Sequence, residues 1–145
     1  MARNIFFGFA FLLAGLAVDM AGNVKINFLQ DDFSQALRLA KKQKKPLFVY
    51  FSTDHCGACR QLERFCMSQD DVGEFFNDNF ISVHLNPEEG AAGLAGKWGV
   101  RGVPAMLYVD TKKNIVHKTV GYKDKEHFME ESRKALEIWK STCVI

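Results

Sequence analysis

The chain has 145 residues, 48% hydrophobic and 25% charged, which suits one globular domain with a core of its own. A formal charge of +2, from 19 basic and 17 acidic residues, is too close to balance to mark a nucleic-acid binder. The lysines at 41, 42, 44 and 45 read as the solvated end of an amphipathic helix, and no repeat, low-complexity tract or Gly/Pro-rich linker divides the sequence. Arg3 is followed by the uncharged run Ile5–Val18. That run is short of the roughly 20 apolar residues a membrane span needs. A basic start, a short apolar run and small residues after it describe an export signal over residues 1–21, cut after Ala17 or Ala21. An uncleaved membrane anchor is the alternative. Export predicts a periplasmic or secreted protein in an oxidising compartment, with residues 22–145 as the single mature domain. The ending "TCVI" is no prenylation box, because Cys143 stands third from the end.

Along the mature chain, Val24–Phe28 alternates apolar and polar residues as a half-buried strand does. Asp31 or Asp32 can cap a helix running to about Lys44 with a stripe of Phe33, Leu37 and Ala40. Pro46–Phe51, "PLFVYF", is almost wholly apolar and predicts a strand buried on both faces. A helix opened by Cys56 follows, with Leu62 and Phe65 marking its core side, and a second helical piece covers Asp70–Asn79. Phe80–Asn86 predicts another strand and Glu88–Trp98 a helix, weakened by Gly90, Gly93 and Gly96. "VPAMLYVD" and "IVHKTVGY" flank "TKKN" as a β-hairpin, and Lys125–Lys140 carries Phe128, Ala135, Leu136 and Trp139 on a helical stripe. The order β-α-β-α-β-α-β-β-α predicts an α/β fold with a mixed central β-sheet flanked by helices on both faces.

Two of the four cysteines, Cys56 and Cys59, stand in "HCGAC" where the buried strand gives way to a helix. Unpaired N–H groups and the positive end of the helix dipole at that point favour a thiolate at Cys56. Cys59, one turn on and more enclosed, is placed to attack a mixed disulfide and release the partner. Gly57 and Ala58 leave Cys56 open to a protein-sized substrate. Half of a zinc site and a pair of inert buried residues are the competing readings. Zinc needs four ligands, and no second C-x-x-C exists to complete the set, so no metal is expected. Beside a βαβ pattern the pair reads as a redox motif.

Here the chain resembles the thioredoxin superfamily. "CGAC" after an apolar strand is similar to its active-site motif, and "KWGVRGVPAMLYVD" (Lys97–Asp110) to the segment that carries its cis proline. The resemblance covers roughly Lys45–Lys140. "HCGACRQLERFCMSQDDV" is most similar to the branch that holds the C-terminal thioredoxin-like domain of DsbD and small exported relatives. The resemblance implies a thioredoxin-like fold, with Cys56 as nucleophile, Cys59 as resolving thiol and a cis Val103–Pro104 bond. It implies that Val103 and Pro104 grip an extended substrate segment and that Trp98 packs near the pair. Many relatives carry a buried acid where this chain has Tyr50. A tyrosine, with a free pKa near 10, is a poor base at neutral pH. Glu63, four residues after Cys59, matches a glutamate of the DsbD-like branch and is expected to accept the proton of the resolving thiol. A surface role paired with a lysine is the alternative. His55 replaces a common tryptophan, and a protonated ring there would favour the Cys56 thiolate and make the pair more oxidising. His84 is expected as a hydrogen-bonded core histidine and Cys66 as a buried apolar residue, roughly 10 Å along the helix from Cys59.

The implied function is that of an exported protein disulfide oxidoreductase. It would use no cofactor, because the two sulfurs carry the electrons. Its partners would be protein thiols and disulfides and a membrane-bound or soluble thiol electron donor, with no nucleic acid, and the chain would be a monomer. The short stretches Cys59–Phe80 and Asn86–Pro104 leave no room for the helical insertion of the superfamily's dedicated oxidants, which favours a reductase or electron relay. The alternative is a peptide-binding or chaperone-like module on the same scaffold, without essential redox turnover.

Overall fold

The computed structural model describes residues 23–142, so the expected export signal and Cys143 lie outside the described residues. The apolar run before the cysteines becomes strand β2 (Leu47–Phe51), buried at every position. It is apolar throughout because helices cover it on both sides. Phe48 and Tyr50 enter one core layer; Leu47, Val49 and Phe51 enter the other. Around it lie β1 (Phe28–Gln30), β3 (Ile81–Leu85), β4 (Ala105–Val109) and β5 (Ile115–Val120) in the order β1-β3-β2-β4-β5. β1, β3 and β2 are mutually parallel, while β4 runs antiparallel to β2 and β5 antiparallel to β4. The mixed α/β sheet is the one expected from the element order.

Helices α1 (Phe33–Gln43) and α4 (Ala92–Lys97) cover one face through Ala36, Ala40 and Ala95. The other face takes α2 (Gly57–Leu62), α3 (Asp70–Asn79) and α5 (Lys125–Thr142). The Asp32 carboxylate caps α1 by accepting the Gln35 N–H at 2.8 Å, and Lys44 ends it in the left-handed conformation. In α5 the buried stripe is Phe128, Met129, Ser132, Ala135 and Leu136, and the Ser132 hydroxyl meets that of Tyr108 at 2.7 Å.

Three local expectations are corrected. The strand predicted at Val24–Phe28 lies at Phe28–Gln30 instead. The preceding backbone is engaged by helical neighbours: Lys25 N–H donates to Met67 O at 2.7 Å, and Asn27 N–H to Asn77 Oδ1 at 2.8 Å. Gly73 permits this approach, since a Cβ there would stand 2.5 Å from Lys25 Cβ. The helix predicted from Glu88 begins only at Ala92. Asn86 holds the intervening turn, its Oδ1 accepting from Glu88 N–H at 2.9 Å and its carbonyl from Glu89 N–H at 3.1 Å. Phe65, expected on the core side, is 52% exposed. After Leu62 the helix widens into a π-turn (Glu63–Met67), in which Ser68 N–H reaches back five residues to Glu63 O at 3.0 Å. The wider turn puts Cys66 and Met67 against the core and turns Phe65 outward.

Candidate active site

β2 ends under a short turn. Ser52 N–H still donates to Leu85 O, and Cys56 N–H closes the turn on Thr53 O at 3.3 Å. Cys56 is extended, with φ −91 and ψ 100, and is the N-cap of α2. Its Sγ accepts the backbone N–H of Cys59 at 3.0 Å. An amide aimed at sulfur in this way stabilises a thiolate more than a thiol, in the manner of any charge-assisted bond at a helix start. The two sulfurs are joined in a disulfide, with Cα atoms 5.2 Å apart. Cys56 is 9% exposed and Cys59 1%, so an incoming group meets Cys56 first.

One side chain braces this turn. Arg60 Nη1 donates to Asp54 O at 3.0 Å, a contact across the turn that the residue pattern did not single out. His55 stands exposed beside Cys56. The Val103–Pro104 peptide is cis, and Pro104 O accepts Gly121 N–H at 2.8 Å, which ties this loop to the end of β5. Val103 is half-buried and packs against the cluster that contains both cysteines. Trp98, expected near the pair, belongs to the opposite core layer, where its ring meets Phe33 at 5.3 Å and Phe51 at 6.4 Å.

Behind the pair lies a second group of polar side chains. Tyr50 is 2% exposed, and its hydroxyl donates to Glu63 Oε1 at 2.9 Å. Burial, and then the Glu63 carboxylate, push the Tyr50 phenol well above its ordinary range, so it stays a donor. Glu63 is half-buried and begins the π-turn, its amide shared between Cys59 O and Arg60 O. His84 is half-buried rather than enclosed. Its Nδ1 lies 2.8 Å from Gln30 Oε1, and its Nε2 meets Ser52 Oγ. An amide oxygen only accepts, so Nδ1–H donates to Gln30. Tyr50, Glu63 and His84 share the wall of a groove of about 580 Å³, with Val24, Ile26, Asn27, Phe28 and Gln30. Sequence spacing could not reveal this groove, because its walls come from separate stretches of chain.

Cys66 is fully buried and donates from Sγ to Lys123 O at 3.3 Å. Burial, and then Asp124 and Glu126, push its thiol up to about 11, which keeps it un-ionised and inert at neutral pH. Among the described residues no group of three or more His, Cys, Asp or Glu is placed to hold a metal ion, and no helix is long and apolar enough to cross a membrane.

Comparison with known proteins agrees with this geometry. A thioredoxin-like domain family matches residues 33–136. The thiol:disulfide interchange protein DsbD of Yersinia pestis is 27% identical over 107 residues, covering 70% of this chain and 18% of DsbD. The chain spans less than half the length of the first curated relatives it matches. A solution structure of a disulphide-isomerase candidate from Bacteroides thetaiotaomicron superposes with a TM-score of 0.71 at 28% identity, over 79% of this chain and 96% of that one. The oxidised C-terminal domain of Neisseria meningitidis DsbD shares the fold, with a TM-score of 0.63 at 17% identity over 74% of this chain and 98% of that one.

Proposed function

Because the chain belongs to the thioredoxin-like family, we propose that it is an exported thiol–disulfide oxidoreductase working as a reductase or electron relay on protein disulfides. The observation that carries this reading is the Cys56–Cys59 pair at a helix start, with the Cys59 amide on the outer sulfur. Reduced Cys56, as thiolate, attacks a substrate disulfide, and one substrate sulfur leaves. Cys59 then loses its proton to Glu63 and attacks Cys56 Sγ, which releases the second substrate sulfur. The pair ends oxidised by two electrons and the substrate reduced by two. Val103, packed against the core cluster that includes the pair, and its neighbour Pro104 offer backbone to an extended substrate segment. His55, when protonated, adds to the attraction for the Cys56 thiolate.

The reducing direction is supported by the short links between elements. One π-turn and α3 join α2 to β3, and one turn and α4 join β3 to β4, with no inserted helical domain. The likeness to DsbD points the same way and suggests a thiol partner, membrane-bound or soluble, that returns electrons. Export rests on the N-terminal segment Ile5–Val18.

Equilibration of the pair with glutathione tests the direction. The expected potential lies near the thioredoxin value of about −270 mV. A value near about −120 mV, that of a strong oxidant, would overturn the reductase assignment.

A further inference from the structure

We propose that Tyr50 is a positioning residue for the resolving step: its hydroxyl holds Glu63 so that the proton of Cys59 leaves through the groove beside β1. This rests on the exchange reading above and adds the route of the proton and the group that keeps it open. Three observations carry it. The Tyr50 hydroxyl donates to Glu63 Oε1 at 2.9 Å from an almost fully buried position. Glu63 lies one turn beyond Cys59, with its amide on the Cys59 carbonyl, and Tyr50 and Cys59 share one core cluster. Glu63 also lines a groove of about 580 Å³ that neither Cys56, Val103 nor Pro104 lines.

A substrate docked over Cys56 shuts water away from that face. Cys59, the inner cysteine, is 1% exposed and needs another outlet for its proton. With Oε1 held by Tyr50, Glu63 keeps Oε2 for the thiol. The Cys59 S–H bond breaks and its proton passes to the Glu63 carboxylate. The sulfur's electron pair forms the bond to Cys56 Sγ while the Cys56–substrate bond breaks. The substrate leaves as a thiolate, and Glu63 returns its proton to water in the groove.

The groups that can modulate Glu63 are few. Tyr50 on β2 and His84 on β3 face the groove, and Cys59 stands on its own helix. Asn27 before β1 and Gln30 at its end are uncharged, while Lys25 pairs with Asp70 at 3.8 Å. Arg60 is turned to Asp54 O, and Arg64 lies over the Phe65 ring. Tyr50 is therefore the group that hydrogen-bonds the carboxylate directly. A donor on a carboxylate stabilises its charged form and fixes its orientation, so loss of that donor is felt in the step that uses the carboxylate.

Rapid-quench reaction of the reduced protein with saturating glutathione disulfide separates the two steps, formation of Cys56–glutathione and first-order release of the second glutathione. Tyr50→Phe keeps the ring and its packing. It is expected to slow release about tenfold and to change the acid limb of the release step's pH profile. Glu63→Gln is expected to slow release about a hundredfold and to abolish that limb. The first step should be unchanged in both, and the double variant should be no slower than Glu63→Gln alone, since Tyr50 acts through Glu63. A Tyr50→Phe profile that overlays the wild type, losses that multiply in the double variant, or both steps falling together would overturn the proposal. If Tyr50→Phe does not fold, a Glu63→Gln protein that releases glutathione at the wild-type rate and pH dependence overturns it equally. Failure of the exchange reading looks different, because then the wild-type protein itself releases no second glutathione.

Discussion

A Cys59→Ser protein is expected to accumulate bonded through Cys56 to its substrate, while Cys56→Ser captures nothing and loses disulfide reduction down to the uncatalysed background. The asymmetry follows from the site. Cys56 is the outer sulfur and receives the Cys59 amide at 3.0 Å, so it supplies the attacking thiolate even when the inner thiol is gone. Among the described residues no other cysteine is then bonded to Cys56 and placed to displace the substrate. Cys66 cannot substitute, since it is buried against Lys123 O with its thiol held un-ionised. Mixing each variant, reduced, with oxidised insulin and separating the products without reductant checks the outcome. Insulin reduction that survives Cys56→Ser would instead favour a peptide-binding module in which the sulfurs are incidental.

The largest effect on stability is expected from Phe48→Ala, about 3–5 kcal/mol. Phe48 is fully buried at the centre of an aromatic cluster, with ring centroids of Phe76 at 4.6 Å, Tyr108 at 5.3 Å, Phe28 at 5.9 Å and Phe128 at 6.2 Å. These rings belong to β1, α3, β4 and α5, so a cavity there loosens the packing of four elements around β2. Domains of ordinary stability have about 5–15 kcal/mol in total, so this loss is a large share. Urea unfolding should show the midpoint fall with little change in slope. A shift below about 1 kcal/mol would mean that the cluster collapses around the void.

The elements that position the site were legible where one local signal was enough. β2 is read from an unbroken apolar run, α5 from its helical stripe, and the hairpin from two strands around Thr111–Asn114. The pairing of Cys56 with the start of a helix follows from spacing alone. Other features depend on partners distant in sequence. The strand expected at Val24–Phe28 was displaced because Met67 and Asn77 bond its backbone, which alternation of residue types cannot report. Phe65 faces outward because of a π-turn, and a stripe drawn at 3.6 residues per turn misplaces it. The link between Tyr50 and Glu63 joins a strand to a helix. Each residue drew notice separately, Tyr50 as a replacement for an acid and Glu63 as a helical neighbour of Cys59. That one holds the other is a fact of packing.

Competitive alkylation of the freshly reduced protein at pH 7, with the modified cysteines mapped by mass spectrometry, tests the central claim most directly. Cys56 is expected to react first, roughly tenfold faster than an ordinary cysteine peptide, because its thiolate is held by the helix start. Cys59 and Cys66 should lag behind it. A Cys56 that reacts no faster than the peptide, or after Cys59, would contradict the account.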